Sequence, residues 1–237
     1  MMQVVFPHDR VGKIWRGPLR GWKWYRHRDH QFWMPMGVYE EETCRWIESN
    51  LGEGGVFFDI GGNAGYFTLL GSKLVGDTGR VIVFEPVPLN IDVLTRQISL
   101  NDRRNVTLEP LAIADRVGTL SFDVEWRNAN SHMSDVTITH AKSEPTDVLE
   151  VGCTTLDQWV ADNDLRPDVL KIDVEGAEVH VLEGAKETLR TCKPRIVLST
   201  HTAELLDTCL SMLRDANYHV VRLPGFEHEL LGYPRAD

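Results

Sequence analysis

The stretch Val56-Phe57-Phe58-Asp59-Ile60-Gly61-Gly62-Asn63-Ala64-Gly65-Tyr66-Phe67-Thr68 decides the fold. An apolar run ends there in an acid and a glycine-rich turn, and a helix is predicted to open from the turn near Asn63. Glycine at 61, 62 and 65 lets the backbone approach a ligand with no Cβ in the way. The amides of the helix start are expected to point into the same space. A second apolar run, Arg80-Val81-Ile82-Val83-Phe84, delivers Glu85 ahead of Pro86, 24 residues after Gly61. An acid at the tip of the second strand, about 20 residues past the glycines, suits the paired hydroxyls of a ribose. The expected ligand is a nucleoside.

The details of the turn choose among nucleosides. A dinucleotide fingerprint reads G-x-G-x-x-G and faces pyrophosphate with a helix N-terminus, whereas this chain reads D-x-G-x-N-x-G, with Asp59 directly before the turn. A carboxylate there repels pyrophosphate and attracts an amino group. S-adenosylmethionine carries an adenosine, no phosphate, an ammonium and a sulfonium, so Asp59 beside its methionyl end and Glu85 on its ribose match its charges. Two alternatives stand beside this reading. An NAD-dependent oxidoreductase shares Glu85 and the strand-turn-helix but needs the pyrophosphate turn, and a non-catalytic cofactor-binding scaffold keeps the turn without acid/base residues.

Outward from this stretch, strands and helices alternate. Glu40 to Asn50 has helical spacing and ends at Gly52-Glu53-Gly54-Gly55. Strand 56–60 feeds a helix near 64–75, strand 80–84 a helix near 88–100, and a third strand region runs from Asn105 to Ile113. A hairpin-like stretch covers Thr119 to Val124, and the polar segment Trp126 to Glu150 reads as loop. Thr154 to Trp159 starts a capped short helix, Asp168 to Asp173 is a strand, Gly176 to Thr191 one helix, Arg195 to Thr200 a strand and Ala203 to Asn217 a helix. Tyr218–Leu223 and Glu229–Tyr233 close as a hairpin around Pro224-Gly225. Such alternation builds a mostly parallel sheet with helices on both faces.

A second constellation, Leu170-Lys171-Ile172-Asp173-Val174-Glu175-Gly176, sets three ionisable groups at the carboxyl end of a strand expected mid-sheet, the edge at which open α/β sheets bind ligands. Lys171 and Asp173 are two apart and share a face, so the carboxylate compensates an ammonium that is costly in a core strand. His201 follows the next strand and is a candidate base. Lys171, Asp173 and His201 are the expected catalytic residues, Glu175 their orienting partner. Their types do not rank Lys171 against His201 as base.

The chain resembles the FkbM family of S-adenosylmethionine-dependent methyltransferases. The matching stretches are Gly37-Val38-Tyr39-Glu40, Asp59 to Gly65, Phe84-Glu85-Pro86, Leu111-Ala112-Ile113-Ala114-Asp115, Lys171 to Glu178 and Leu182-Glu183-Gly184-Ala185, within roughly residues 37–201. The resemblance implies a class I methyltransferase fold of α/β type, Rossmann-like, with seven strands, the last antiparallel. It implies O-methylation of a hydroxyl on a small molecule, commonly a sugar or secondary metabolite. It also implies a cofactor site of Glu40, Asp59, Gly61, Gly62, Asn63, Gly65, Glu85, Pro86, Ala112 and Asp173. Where the family tends to have an acid two residues before the histidine, this chain reads Ser199-Thr200-His201. No metal is therefore assigned.

Composition bounds the rest. With 237 residues, 42% hydrophobic, the chain is long enough for one large core and short for two. Cys44, Cys153, Cys192 and Cys209 form no C-x-x-C pair, so they read as buried thiols in a reducing compartment. No apolar run approaches a membrane span, and a cytoplasmic location is expected. Residues 1–33 hold seven Lys/Arg against Asp9 and Asp29, leaving −15 on the remainder of a chain of net charge −10. This basic arm, taken as residues 1–36 ahead of a methyltransferase domain at 37–237, also carries Trp15, Trp22, Trp24 and Trp33. It is expected to pack across its own acidic body or a second subunit, with homo-oligomers left open, rather than bind nucleic acid.

Overall fold

The computed structural model describes residues 9–27, 33–125, 130–133, 147–223 and 225–236. In chain order, β1 (Arg10–Lys13) and β2 (Lys23–Arg26) pair as an antiparallel ribbon, followed by the single turn α1 (Trp33–Met36) and helix α2 (Glu41–Asn50). The alternating core then runs β3 (Val56–Ile60), α3 (Tyr66–Val75), β4 (Arg80–Phe84), α4 (Pro88–Leu100) and β5 (Val106–Glu109). An inserted sheet contains β6 (Ala112–Ile113), β7 (Gly118–Glu125), β8 (Asn130–Met133) and β9 (Asp147–Thr154). The core resumes with α5 (Leu156–Asn163), β10 (Val169–Ile172), α6 (Glu178–Glu183), α7 (Lys186–Thr191) and β11 (Arg195–Ser199). It ends with α8 (Ala203–Asp215), β12 (Tyr218–Arg222) and β13 (Glu229–Pro234).

The central sheet has seven strands in the order β12-β13-β11-β10-β3-β4-β5. Strands β5, β4, β3, β10 and β11 are mutually parallel, and β13 runs antiparallel to both β11 and β12. The chain winds outward from β3 through β4 to β5, then returns to build β10 and β11 on the other side. The reversal leaves a crevice beyond the carboxyl ends of β3 and β10, where ligands bind in open sheets.

Both faces of the sheet are covered because its central strands are apolar on either side, with Asp59 and Lys171 as their buried exceptions. Phe57, Val81, Val169, Val197 and Leu231 face α2, α3 and the arm, while Phe58, Ile82, Leu170, Ile196 and Leu230 face α5 to α8. The arm belongs to the first of these cores: Ile14, Leu19 and Trp24 are at most 2% exposed and pack with Ile47 and Tyr66. Polar side chains at the C-terminal end of α4 and just beyond it finish the edge of β2. Gln97 accepts from the Tyr25 amide at 2.9 Å and donates to its carbonyl at 2.8 Å, and Asn101 does the same for Lys23.

Four expectations are corrected. The third strand region does not reach Ile113 as one strand: Pro110 has no amide to donate, the chain turns there with Leu111 N–H bonded to the Glu109 carbonyl, and Ala112–Ile113 joins the inserted sheet. The segment 126–150 is not all loop, since 130–133 and 147–150 are strand; Leu149, Val151 and Cys153 point into a small core at the two-residue period of a strand. The remainder of that segment, 126–129 and 134–146, lies outside the described residues. The helix expected over 176–191 is two helices broken at Gly184, where a Cβ would stand 1.9 Å from the Ala114 carbonyl oxygen. The Asp157 carboxylate starts the second helix by accepting from the amides of Glu187 at 2.9 Å and Thr188 at 2.7 Å. The fourth correction concerns the glycine turn.

Candidate active site

The turn after β3 is tied to its neighbours rather than open to a ligand at every amide. Gly61 and Gly62 donate to the Phe84 carbonyl at 3.0 and 3.2 Å, Gly65 to Gly62, and Asn63 to the Glu85 carboxylate at 2.8 Å. The space that side chains at 61, 62 and 65 would fill is taken by the protein itself. A Cβ at Gly61 would stand 1.9 Å from the Asp173 carbonyl oxygen, one at Gly62 2.2 Å from Val83, and one at Gly65 2.7 Å from Leu94. The glycines thus bring the turn against β4, α4 and the end of β10, which shapes the crevice from outside. Helix α3 starts at Tyr66, later than the expected Asn63.

Above this turn lies a cleft, open to solvent, with a cavity volume of about 100 Å³. Gly61, Gly62, Asn63, Gly65, Glu85, Pro86, Ala112, Lys171, Asp173 and Glu175 line it, with Met34, Tyr39, Phe67, Leu111, Phe122 and Val174 as apolar walls. Asp59, Glu40 and His201 do not line it. Asp59, 1% exposed, lies under the turn, accepting from the Thr68 hydroxyl at 2.6 Å with Lys171 Nζ at 3.8 Å. Parallel register sets Asp59 beside Lys171.

Glu85 is buried at the tip of β4. Its carboxylate accepts from the amides of Asn63 and Val87 at 2.8 and 3.0 Å and from Asn90 Nδ2 at 3.2 Å. Burial pushes its pKa up and those donors pull it down. A carboxylate with lone pairs to spare, beside the buried Asn63 Oδ1 that has no partner among the described residues, offers acceptors to the hydroxyls and amino groups of a nucleoside. Glu40, in a left-handed backbone with φ 40°, is close enough to Asp173 and Lys171 to feel their charges; burial, then Asp173, pushes its carboxyl up to about 7.

Lys171 is 2% exposed and ion-paired to Asp173 at 3.2 Å, with its ammonium 4.9 Å from the centre of the Phe67 ring. Burial works against its charge, but Asp173, Asp59 and Glu40 outweigh it and raise its pKa. His201 sits among Glu175 at 3.1 Å and Asp173 at 3.7 Å on Nε2 and Glu178 at 2.7 Å on Nδ1. Burial again opposes the charge, and the bonds to Glu175 and Glu178 prevail, holding the imidazole protonated with its pKa pushed up to about 11. Both expected bases are therefore cations at neutral pH. Lys171, Asp173, Glu175 and His201 are nevertheless brought together, as their strand-end positions imply.

Two neighbouring acids escaped the sequence reading. Glu178, fully buried, holds His201 and accepts from the Gly176 amide at 2.9 Å. Glu229 stands opposite Ser199 in the β11–β13 register and is raised mainly by burial, with a hydrogen bond from Ser199 opposing. A carboxylate from the antiparallel strand thus adjoins the place where Ser199 stands for an acid. A polar residue opening an apolar return strand was the available signal for Glu229; for Glu178 it was the second acid of the Glu175-Gly176-Ala177-Glu178 run.

Residues 59–220 match the model of the methyltransferase FkbM domain. The hexuronic acid methyltransferase AglP of Haloferax volcanii is 28% identical over 64% of this chain and 59% of its own length. The methyltransferase sdnD of Sordaria araneosa is 26% identical over 78% of this chain and 82% of its own. The chain thus spans less than two thirds of AglP. Among solved structures, the methyltransferase FkbM of Methylobacillus flagellatus superposes with a TM-score of 0.51 at 18% identity, covering 78% of this chain and 44% of that one. Aeropyrum pernix fibrillarin, solved with natively bound S-adenosylmethionine, gives 0.51 at 16% identity, covering 81% and 72%. These likenesses establish the fold as that of class I methyltransferases. Among the described residues, no helix is long and apolar enough to cross a membrane.

Proposed function

We propose that this chain, which belongs to the FkbM methyltransferase family, transfers the methyl group of S-adenosylmethionine to a hydroxyl oxygen of a small polyhydroxylated molecule, such as a sugar or a secondary metabolite. The observation that carries the oxygen acceptor is the convergence of Asp173, Glu175 and His201, whose donor atoms lie within 4.8 Å of one another where Asp173 and Glu175 reach the cleft. The name of AglP, a hexuronic acid methyltransferase, supports a sugar-like acceptor.

When bound, the cofactor supplies a methyl group already electrophilic on its sulfonium. The chain's task is to bind, align and take away a proton. Glu85 and Asn63 accept hydrogen bonds from the nucleoside, and Glu40 and the carboxylate-rich floor favour its cationic end. Met34, Phe67, Leu111 and Phe122 exclude water. Asp173 and Glu175 accept the hydrogen bond of the acceptor hydroxyl and receive its proton as the methyl–oxygen bond forms, while Lys171 and His201 keep Asp173 charged and His201 holds Glu175 in place. An oxidoreductase reading gives way to the family match; a non-catalytic scaffold is separated by turnover. Incubation with S-adenosylmethionine and a panel of neutral and acidic glycosides, read by mass spectrometry, is expected to add one methyl group to at least one sugar. Binding of S-adenosylhomocysteine with no methylated product across sugars and other polyols would leave the scaffold instead.

A further inference from the structure

The three groups that converge beside the cleft have the donor set and spacing of a cation site. His201 Nε2 is 3.1 Å from Glu175 Oε2 and 3.7 Å from Asp173 Oδ1. Adjacent ligands of an octahedral cation with bonds of 2.0–2.2 Å stand about 3 Å apart, and opposite ones about 4.2 Å. Both His201 distances fall inside that span, and all three donor atoms lie within 4.8 Å of one another. We infer that Asp173, Glu175 and His201 bind a divalent cation of the Mg²⁺ or Mn²⁺ class, facing the acceptor's oxygen. This deepens the methyl-transfer reading above and rests on it.

Three further observations on the same residues support the site. Asp173 divides its oxygens: Oδ2 is bound to Lys171 at 3.2 Å, which leaves Oδ1 toward His201. The far nitrogen of the imidazole is held by Glu178, a carboxylate with no exposed surface, at 2.7 Å. That is the outer-shell partner which ligating histidines characteristically have, fixing the ring so that Nε2 faces outward. Finally, the side chains of Asp173, Glu175 and His201 remain 22 to 31% exposed, so a cation held by three protein atoms keeps open positions for water or an acceptor hydroxyl. The two carboxylates are hard ligands that suit Mg²⁺ and Mn²⁺, and the imidazole, a borderline nitrogen ligand, favours Mn²⁺ of the two. On binding, the Nε2 proton leaves to solvent and the cation takes its place between the carboxylates. The loss of an acid at Ser199 does not remove the site, because Glu175 provides the second carboxylate from the loop after β10.

The test uses the whole chain stripped of metal and titrated with Mn²⁺, the free ion being followed by electron paramagnetic resonance. Saturable binding of one Mn²⁺ per chain, competed by Mg²⁺, is expected. Glu175→Gln and His201→Asn should each weaken it at least tenfold, and Glu178→Gln, which removes only the outer partner, by about 10–100-fold. Calorimetry with S-adenosylhomocysteine on each variant confirms that it is folded. No saturable Mn²⁺ binding, or binding unchanged in folded Glu175→Gln and His201→Asn, overturns the inference. Methyl transfer that persists in EDTA would discard the cation while leaving the methyltransferase reading intact, and Mn²⁺ bound by a chain that methylates nothing would do the reverse.

Discussion

Single residues at the sheet edge carry opposing demands that can be read in titrations. Glu40 has a folded-state pKa of about 7, raised first by burial, above the unfolded value near 4.3. The folded protein keeps that proton to higher pH than the unfolded chain does, so its stability falls as pH rises across this interval. Glu40→Gln should flatten the slope of urea-denaturation free energy between about pH 4.5 and 7. The same ionisation favours a cationic ligand, so S-adenosylhomocysteine, which retains the ammonium, should bind more tightly at pH 8 than at pH 6, and less so in Glu40→Gln. We propose that Glu85 accepts both ribose hydroxyls, so that Glu85→Ala would lose two charge-assisted hydrogen bonds, each about 1.5–3 kcal/mol, besides untying the Asn63 and Val87 amides. Calorimetry should show affinity reduced tenfold or more; unchanged affinity in a folded variant would remove Glu85 from the cofactor site. The motifs named Lys171, Asp173, Glu175 and His201, which the structure brings together, and missed Glu178 and Glu229. The protonation of Lys171 and His201 was not legible, because it depends on Asp59, Glu175 and Glu178 arriving from separate segments.

Elements were legible where the apolar period was uninterrupted. Strands β3, β4 and β10 read as mostly apolar runs because both faces are covered, with Asp59 and Lys171 the charged exceptions, and Thr155 caps α5 by accepting from the Gln158 amide at 3.0 Å. The break between α6 and α7 was hidden, since its causes are distant in sequence: the Ala114 carbonyl beside Gly184 and the Asp157 carboxylate at the start of α7. Asp157→Ala should cost about 0.5–2 kcal/mol, the range of a lost helix cap, measured by chemical denaturation. A variant as stable as the parent would show that α7 needs no cap from outside. Strand β9 was obscured by its polar flank, although Leu149, Val151 and Cys153 keep the inward alternation.

For the whole molecule, the arm and the acceptor are the two questions with measurable answers. The charge count marks the arm as basic but not as core, because burial is decided by Ile14, Leu19 and Trp24 meeting α2 and α3. Trp24→Ala should cost about 3–5 kcal/mol, seen as a lower denaturation midpoint, whereas an arm that served only as a cover would leave the midpoint unmoved. Met34 places the end of the arm on the cleft wall, so we propose that the arm helps to close the acceptor pocket. The central claim is transfer of a methyl group to a hydroxyl oxygen. Its most direct test is isotopically methyl-labelled S-adenosylmethionine with an accepting glycoside, the product being examined by heteronuclear NMR. The account predicts a labelled methyl carbon correlated through an ether oxygen to a sugar ring proton. Label on nitrogen, on carbon or on a carboxyl oxygen would contradict it.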